Sequence, residues 1–185
     1  MPTNTSKVTI HMVSSLDGFI EKKDKSVSWL ETSDSYEHGV GFESAGEVIK
    51  SIDCYVMGSR TYDLAQTLGW PYGDVPTIVL THRSLTNDRD SVEFYSGGLN
   101  SLVSDRLKPK YENIWLVGGA SLVKEFIRLK LADEIRLTIA PTILGDGLLF
   151  FDYVGIEQTL HLKDVTAYQN GMVELWYEVS KGQEK

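Results

Sequence analysis

Among its 185 residues the chain has a single cysteine, Cys54, and five prolines. One thiol excludes an internal disulfide framework and any thiolate metal cluster held within one chain, which fits a reducing compartment. Cys54 reads as a small buried apolar residue. No apolar run approaches the roughly 20 residues needed to span a bilayer, and residues 1–13 lack the basic start and long apolar stretch of a secretory signal. A cytoplasmic protein without a membrane partner is expected. Positive charge is scarce too: 18 Lys and Arg stand against 26 Asp and Glu, a formal net charge of −8, and no basic stripe is interleaved with aromatics. That pattern argues against nucleic acid as a partner. Several catalytic signatures are also missing: no Gly-x-Ser-x-Gly elbow, no Walker loop, no His-Glu-x-x-His. His11, His38, His82 and His161 stand apart without ligand spacing, so no metal site is expected. His38-Gly39-Val40-Gly41 offers Gly-x-Gly, but it follows no strand and lacks the third spaced glycine.

What is present is the composition of an ordinary globular domain, 42% hydrophobic, with polar ends at 1–6 and 181–185 expected to fray. One domain over 1–185 is expected. Short apolar runs predict strands at 8–13, 54–57, 77–81, 92–95, 114–117 and 134–140. Several are continuous rather than alternating, as in strands covered on both faces. Helical patterns fall between them, at 36–51, 59–68, 99–107 and 120–131. In the last of these Leu122, Val123, Phe126, Ile127 and Leu131 form one face, with Lys124, Glu125, Arg128 and Lys130 turned away. The chain ends differently, in two strand patterns (159–167 and 172–180) joined through Gln169-Asn170-Gly171, an Asn-Gly hairpin signal. The predicted architecture is α/β: a three-layer αβα arrangement around a mixed, mainly parallel sheet that finishes in an antiparallel C-terminal hairpin.

Two stretches have the form of anion sites. Ile114-Trp115-Leu116-Val117-Gly118-Gly119-Ala120-Ser121-Leu122 reads as a strand, a glycine turn and a helix start. Glycines let the backbone approach a phosphate, and the first helical amides supply donors with partial positive charge. A plain strand-to-helix turn has the same pattern. Gly58-Ser59-Arg60-Thr61 repeats the arrangement, with Ser59 and Thr61 serving equally well as helix caps. Two such junctions in one sheet could clasp one diphosphate from two sides. A third strand ends Thr81-His82-Arg83-Ser84, where a hydroxyl, an imidazole and a guanidinium could read a 2′-phosphate or simply be solvated loop.

Taken in order, Ser15-Leu16-Asp17-Gly18, Gly58-Ser59-Arg60-Thr61-Tyr62, Val117-Gly118-Gly119-Ala120 and the run from Ala132 to Gly147 resemble the dihydrofolate-reductase-like superfamily. The branch most resembled is the reductase (C-terminal) domain of the bacterial bifunctional riboflavin-biosynthesis deaminase-reductase. The likeness spans about residues 7–180, and the deaminase signatures His-x-Glu and Pro-Cys-x-x-Cys are absent. It implies a homodimeric reductase that uses NADPH on a planar heterocycle of pterin or pyrimidine type. It also implies site roles. Gly58, Ser59, Arg60 and Thr61 would lie near the adenosine diphosphate, Thr81, His82 and Arg83 around the 2′-phosphate, and Val117, Gly118, Gly119, Ala120, Ser121 and Leu122 on the diphosphate. Ser15 and Gly18 would border the cofactor, and Val13, Phe19, Ile20 and Trp29 would line the nicotinamide and substrate. Folate reductases place an arginine directly after the motif glycine; here Ser59 intervenes before Arg60.

Hydride transfer to an imine or carbonyl also needs a proton for the heteroatom. Asp34, shortly after Trp29, matches the folate-reductase spacing of tryptophan and carboxylate, and equally fits an N-cap for a helix starting near Tyr36. Asp17 is the other candidate, and equally a turn residue before Gly18. Water is a third source. A non-catalytic, dimeric nucleotide-binding module on the same fold is the competing reading. Between the first two strands, residues 21–53 carry lysines but no arginine, which argues against a phosphorylated substrate tail there.

Overall fold

A computed structural model describes residues 5–41 and 48–181. Eight strands form one sheet in the order β5-β4-β3-β6-β1-β7-β10-β9. Its parallel part comprises β1 (Lys7–Ser15), β3 (Cys54–Gly58), β4 (Thr77–Leu80), β5 (Val92–Tyr95), β6 (Asn113–Gly118) and β7 (Glu134–Ala140). β9 (Leu160–Ala167) and β10 (Val173–Val179) add the antiparallel edge, with β10 paired to β7. A separate ribbon pairs β2 (Phe19–Glu21) with β8 (Leu148–Leu149), two short strands whose brevity left no periodic signal.

Helices cover both faces. On one, Val8, Ile10, Val56, Ile114 and Leu116 pack against Val123, Phe126 and Ile127 of α3 (Ala120–Arg128). Leu102, Val103 and Leu107 join them from a segment that begins as α2 (Leu99–Ser101) and continues as a π-helical stretch, Leu102–Leu107. On the other, Tyr55, Met57 and Val79 pack against Tyr62 and Ala65 of α1 (Ser59–Thr67) and against Trp70. Residues 54–57 are buried on both sides, as their continuous apolar run requires.

Both long helices stop where their backbone turns left-handed. Gly69 (φ +84°) after α1 and Lys130 (φ +55°) after α3 let the next residue donate back: Trp70 N to Ala65 O and Leu131 N to Phe126 O, each 2.9 Å. Helix α3 therefore ends at Arg128, short of 131, because Lys130 adopts a conformation usually reserved for glycine. The β9–β10 hairpin closes as the Asn-Gly signal predicts: Gly171 (φ +79°) donates its N–H to Tyr168 O at 3.0 Å.

The helix expected over 36–51 does not begin at Tyr36. Residues 36–41 form a turn and a parallel bridge, Val40 to Tyr168. The hairpin takes their backbone groups: Tyr36 N donates to Gln169 O (2.8 Å), Val40 N to Ala167 O (2.9 Å), and Gln169 N to Val40 O (2.9 Å). A Cβ on Gly39 would collide with the Tyr168 backbone, so this docking needs glycine there. Residues 48–50 are helical, and the middle of the expected helix lies outside the described residues.

Candidate functional site

Because β5, β4, β3, β6, β1 and β7 are parallel, their C-terminal ends share one edge of the sheet, the usual ligand edge of open α/β sheets. The predicted phosphate-binding segments lie along it side by side. β3 runs through Gly58 into α1, β6 through Gly118 and Gly119 into α3, and β3 pairs β6 directly. The two turns touch. A Cβ on Gly119 would lie 3.7 Å from Thr61 Oγ1, and one on Gly58 would lie 3.8 Å from Gly118 O. Gly118 has φ +116°, a backbone that side chains rarely adopt, and a Cβ there would also crowd Met12 Cε at 2.8 Å. Neither cap residue, Gly58 or Gly119, has a side chain to hydrogen-bond the first-turn amides, and neither first turn carries an acidic residue. Two sets of helix N-terminal donors thus lie at the ends of two paired strands.

Next along the edge, Thr81, His82 and Arg83 follow β4. Thr81 Oγ1 accepts the Arg83 N–H at 2.9 Å, and the Arg83 guanidinium reaches Asp63 of α1 at 2.7 Å, both side chains about half exposed. Arg60 and Ser121 are exposed, Ser59, Thr61, Val117 and Leu122 partly so, and Ala120 is buried.

On the other side, β1 ends in the buried Ser14 and Ser15. Ser15 Oγ donates to Asp17 Oδ1 (2.6 Å) and accepts from Phe19 N (2.9 Å). The Asp17 carboxylate also accepts the N–H groups of Leu144 (3.0 Å) and Gly145 (2.7 Å). The Ser15 hydroxyl above all, with those two amides, holds the Asp17 carboxyl down to about 2. Asp17 thereby ties the turn after β1 to the loop after β7, and Gly18 (φ +87°) makes that turn. Phe19 and Ile20 stand on β2, with Ile20 packed on the main core.

Val13 pairs with Thr138, and Trp29 packs with Ala140, Tyr168 and Met172. Asp34 sits exposed over Gly171 in the hairpin turn. It caps no helix at Tyr36, since none starts there.

A polar group on the sheet itself escapes a motif search. His11, Arg136, Thr138 and Glu174 come from three neighbouring strands in register, His11 opposite Arg136 and Thr138 opposite Glu174. His11 stacks on Trp115 with ring centroids 4.3 Å apart. Burial, aided by the Arg136 charge, lowers its pKa to about 3, so the ring is neutral. Burial pushes the Glu174 carboxyl up, opposed by Arg136 and Thr138. The available signal was the alternation of β10, where Glu174 takes a position that faces inward. A separate cavity of about 580 Å³ opens at the opposite edge, but its lysines Lys108 and Lys181 are paired with Asp133 and Lys7 with Glu134.

The strand order and the antiparallel C-terminal hairpin define a dihydrofolate-reductase-like α/β fold. Residues 6–174 match the RibD C-terminal domain, and the chain belongs to that family. It is 31% identical over 173 residues to the protein YwjB of Bacillus subtilis, covering 92% of this chain and 97% of that one. Among solved structures it resembles a putative riboflavin biosynthesis protein from Shewanella sp. PV-4 (TM-score 0.81, 21% identity, 95% of this chain and 99% of that one). It also resembles the Enterococcus faecalis dihydrofolate reductase complexed with NADP(H) (TM-score 0.59, 18% identity, 95% and 97% covered).

Proposed function

We propose that this protein is an NADPH-dependent oxidoreductase that reduces a planar pterin- or pyrimidine-type heterocycle. One observation carries the reading: the junctions at Gly58 and Gly119 lie against each other, with helix N-terminal amides that no cap side chain occupies. Such a cradle, which a Cβ would narrow, suits the diphosphate of a dinucleotide. When bound there, NADPH supplies the hydride. The chain supplies position and a dry site. Gly58, Ser59, Arg60 and Thr61 grip the diphosphate from one side, and residues 117–122 from the other. Thr81, His82 and Arg83 face the 2′-phosphate. Ser15 and Gly18 border the nicotinamide, and Val13, Phe19, Ile20 and Trp29 enclose the ring to be reduced. Asp17, ionised and fully engaged by Ser15, Leu144 and Gly145, fixes the loops around this cleft, leaving Asp34 or a water to deliver the proton.

The working unit is a homodimer in this reading. The edge strand β9 exposes Leu160, Leu162 and Val165, an apolar strip suited to a second copy. Mass measurement in solution should give a dimer that Leu162→Lys shifts toward monomer.

The deciding experiment adds NADPH and a panel of pterins and pyrimidines to the purified protein and follows NADPH oxidation. Substrate-dependent oxidation is expected. Tight NADPH binding with no oxidation by any of them would favour the binding-module reading instead.

A further inference from the structure

Among the described residues four side chains carry sulfur: Met12, Cys54, Met57 and Met172. Three of them are shut away from solvent. Cys54 and Met57 are fully enclosed and Met172 is buried in the hairpin. Burial also pushes the Cys54 thiol up to about 12, so it forms no reactive thiolate near neutral pH. Met12 alone of the four is partly exposed.

Met12 also touches the glycine turn between β6 and α3. A Cβ placed on Gly118 would lie 2.8 Å from Met12 Cε and 3.9 Å from Val123 Cγ2 of α3. The methyl end of Met12 therefore packs where a side chain on Gly118 would stand. With no side chain of its own, Gly118 is restrained by what packs on it.

A peroxide would change that contact in kind. The sulfur gives up an electron pair, an S–O bond forms as the peroxide O–O bond breaks, and hydrogen peroxide leaves as water. The sulfoxide is bulkier and polar where the thioether was apolar. Met12 packs on the apolar main core as well as on the turn, and an added oxygen displaces one or the other. The glycine backbone is the softer of the two, because a packed core yields little.

We propose that Met12 is a reversible oxidation site whose sulfoxide shifts the Gly118–Gly119 turn out of the shape that receives a cofactor diphosphate. The effect on the cofactor rests on the NADPH reading of that turn; the effect on the turn does not.

The test treats the full chain with hydrogen peroxide and maps added oxygen by peptide mass spectrometry. Met12 should gain one oxygen ahead of Met57 and Met172. Amide hydrogen exchange across residues 117–122 should then quicken, and NADPH affinity should fall roughly 10-fold or more, the scale of a polar group buried without a partner. Methionine sulfoxide reductases with a thiol reductant should reverse both changes. Met12→Leu keeps the bulk without the sulfur and should show neither change on the same treatment. A Met12 that stays unoxidised overturns the proposal. So does a Met12 sulfoxide that leaves exchange at 117–122 unchanged, or leaves affinity unchanged in a protein that binds NADPH. An equal loss of affinity in peroxide-treated Met12→Leu also overturns it, by placing the sensitive group elsewhere. Should Met12→Leu fail to fold, reversal by the reductases in the parent protein decides. If the untreated protein binds no NADPH, the cofactor reading falls, and hydrogen exchange alone decides whether Met12 governs the turn.

Discussion

Arg83 and His11 show how the surroundings of one side chain set what it can do. Arg83 is half exposed and already held by Asp63, so under the proposed reading its grip on a 2′-phosphate would be weaker than that of a buried guanidinium. NADPH should bind more tightly than NADH, and Arg83→Ala should narrow that preference by about 1.5 kcal/mol, the low end for a charged hydrogen bond. Titration showing equal affinities in the parent protein would exclude this role. His11 is neutral in the fold, with its pKa at about 3 against 6.5 unfolded. Below 6.5 the unfolded chain takes up a proton that the folded one refuses, so the stability contributed by neutral His11 is complete above that pH and declines toward 3. The raised Glu174 works in the opposite sense, since its folded form is protonated first as pH falls, and it offsets part of the decline. Denaturant unfolding at about pH 7 and about pH 5 should show a loss of up to roughly 2 kcal/mol that His11→Phe diminishes.

At the scale of elements, the strand-to-helix junction joining β6 to α3 carries the sharpest expectation. Gly119 has an extended backbone (φ −78°) and only Thr61 Oγ1 near its missing Cβ, so Gly119→Val can fold. Its methyl groups would fill the gap between the two junctions and block close approach of a diphosphate to the amides. NADPH binding should fall below detection while the far-UV CD and the thermal midpoint stay near those of the parent. Unchanged affinity would make the turn purely structural. The junctions were legible because strand, glycine and amphipathic helix each have a local pattern. The start of the 36–51 helix was misread because Tyr36 and Val40 bond to a hairpin more than 120 residues away, a pairing no local pattern encodes.

At the scale of the molecule, charge bears on the substrate. Lys23, in the arginine-free stretch 21–53, is paired with Asp146. A phosphorylated tail therefore finds little to hold it in this region. The purified protein should reduce the phosphoribosylamino-uracil intermediate poorly beside an unphosphorylated heterocycle. Robust NADPH-dependent turnover of that intermediate would show that lysines or a partner subunit grip the phosphate.

Local pattern alone determined the α/β class, the six parallel strands, the C-terminal hairpin and the two glycine junctions, because each depends on side-chain periodicity or on a turn's demand for glycine. Tertiary structure decided the rest. It brought the two junctions into contact through the β3–β6 pairing, engaged Asp17 with Leu144 and Gly145 across the sheet edge, and gathered His11, Arg136, Thr138 and Glu174 into one polar cluster. These residues lie far apart in the chain, and only strand order and register make them neighbours. Burial then sets their charge states, which no spacing along a sequence can encode.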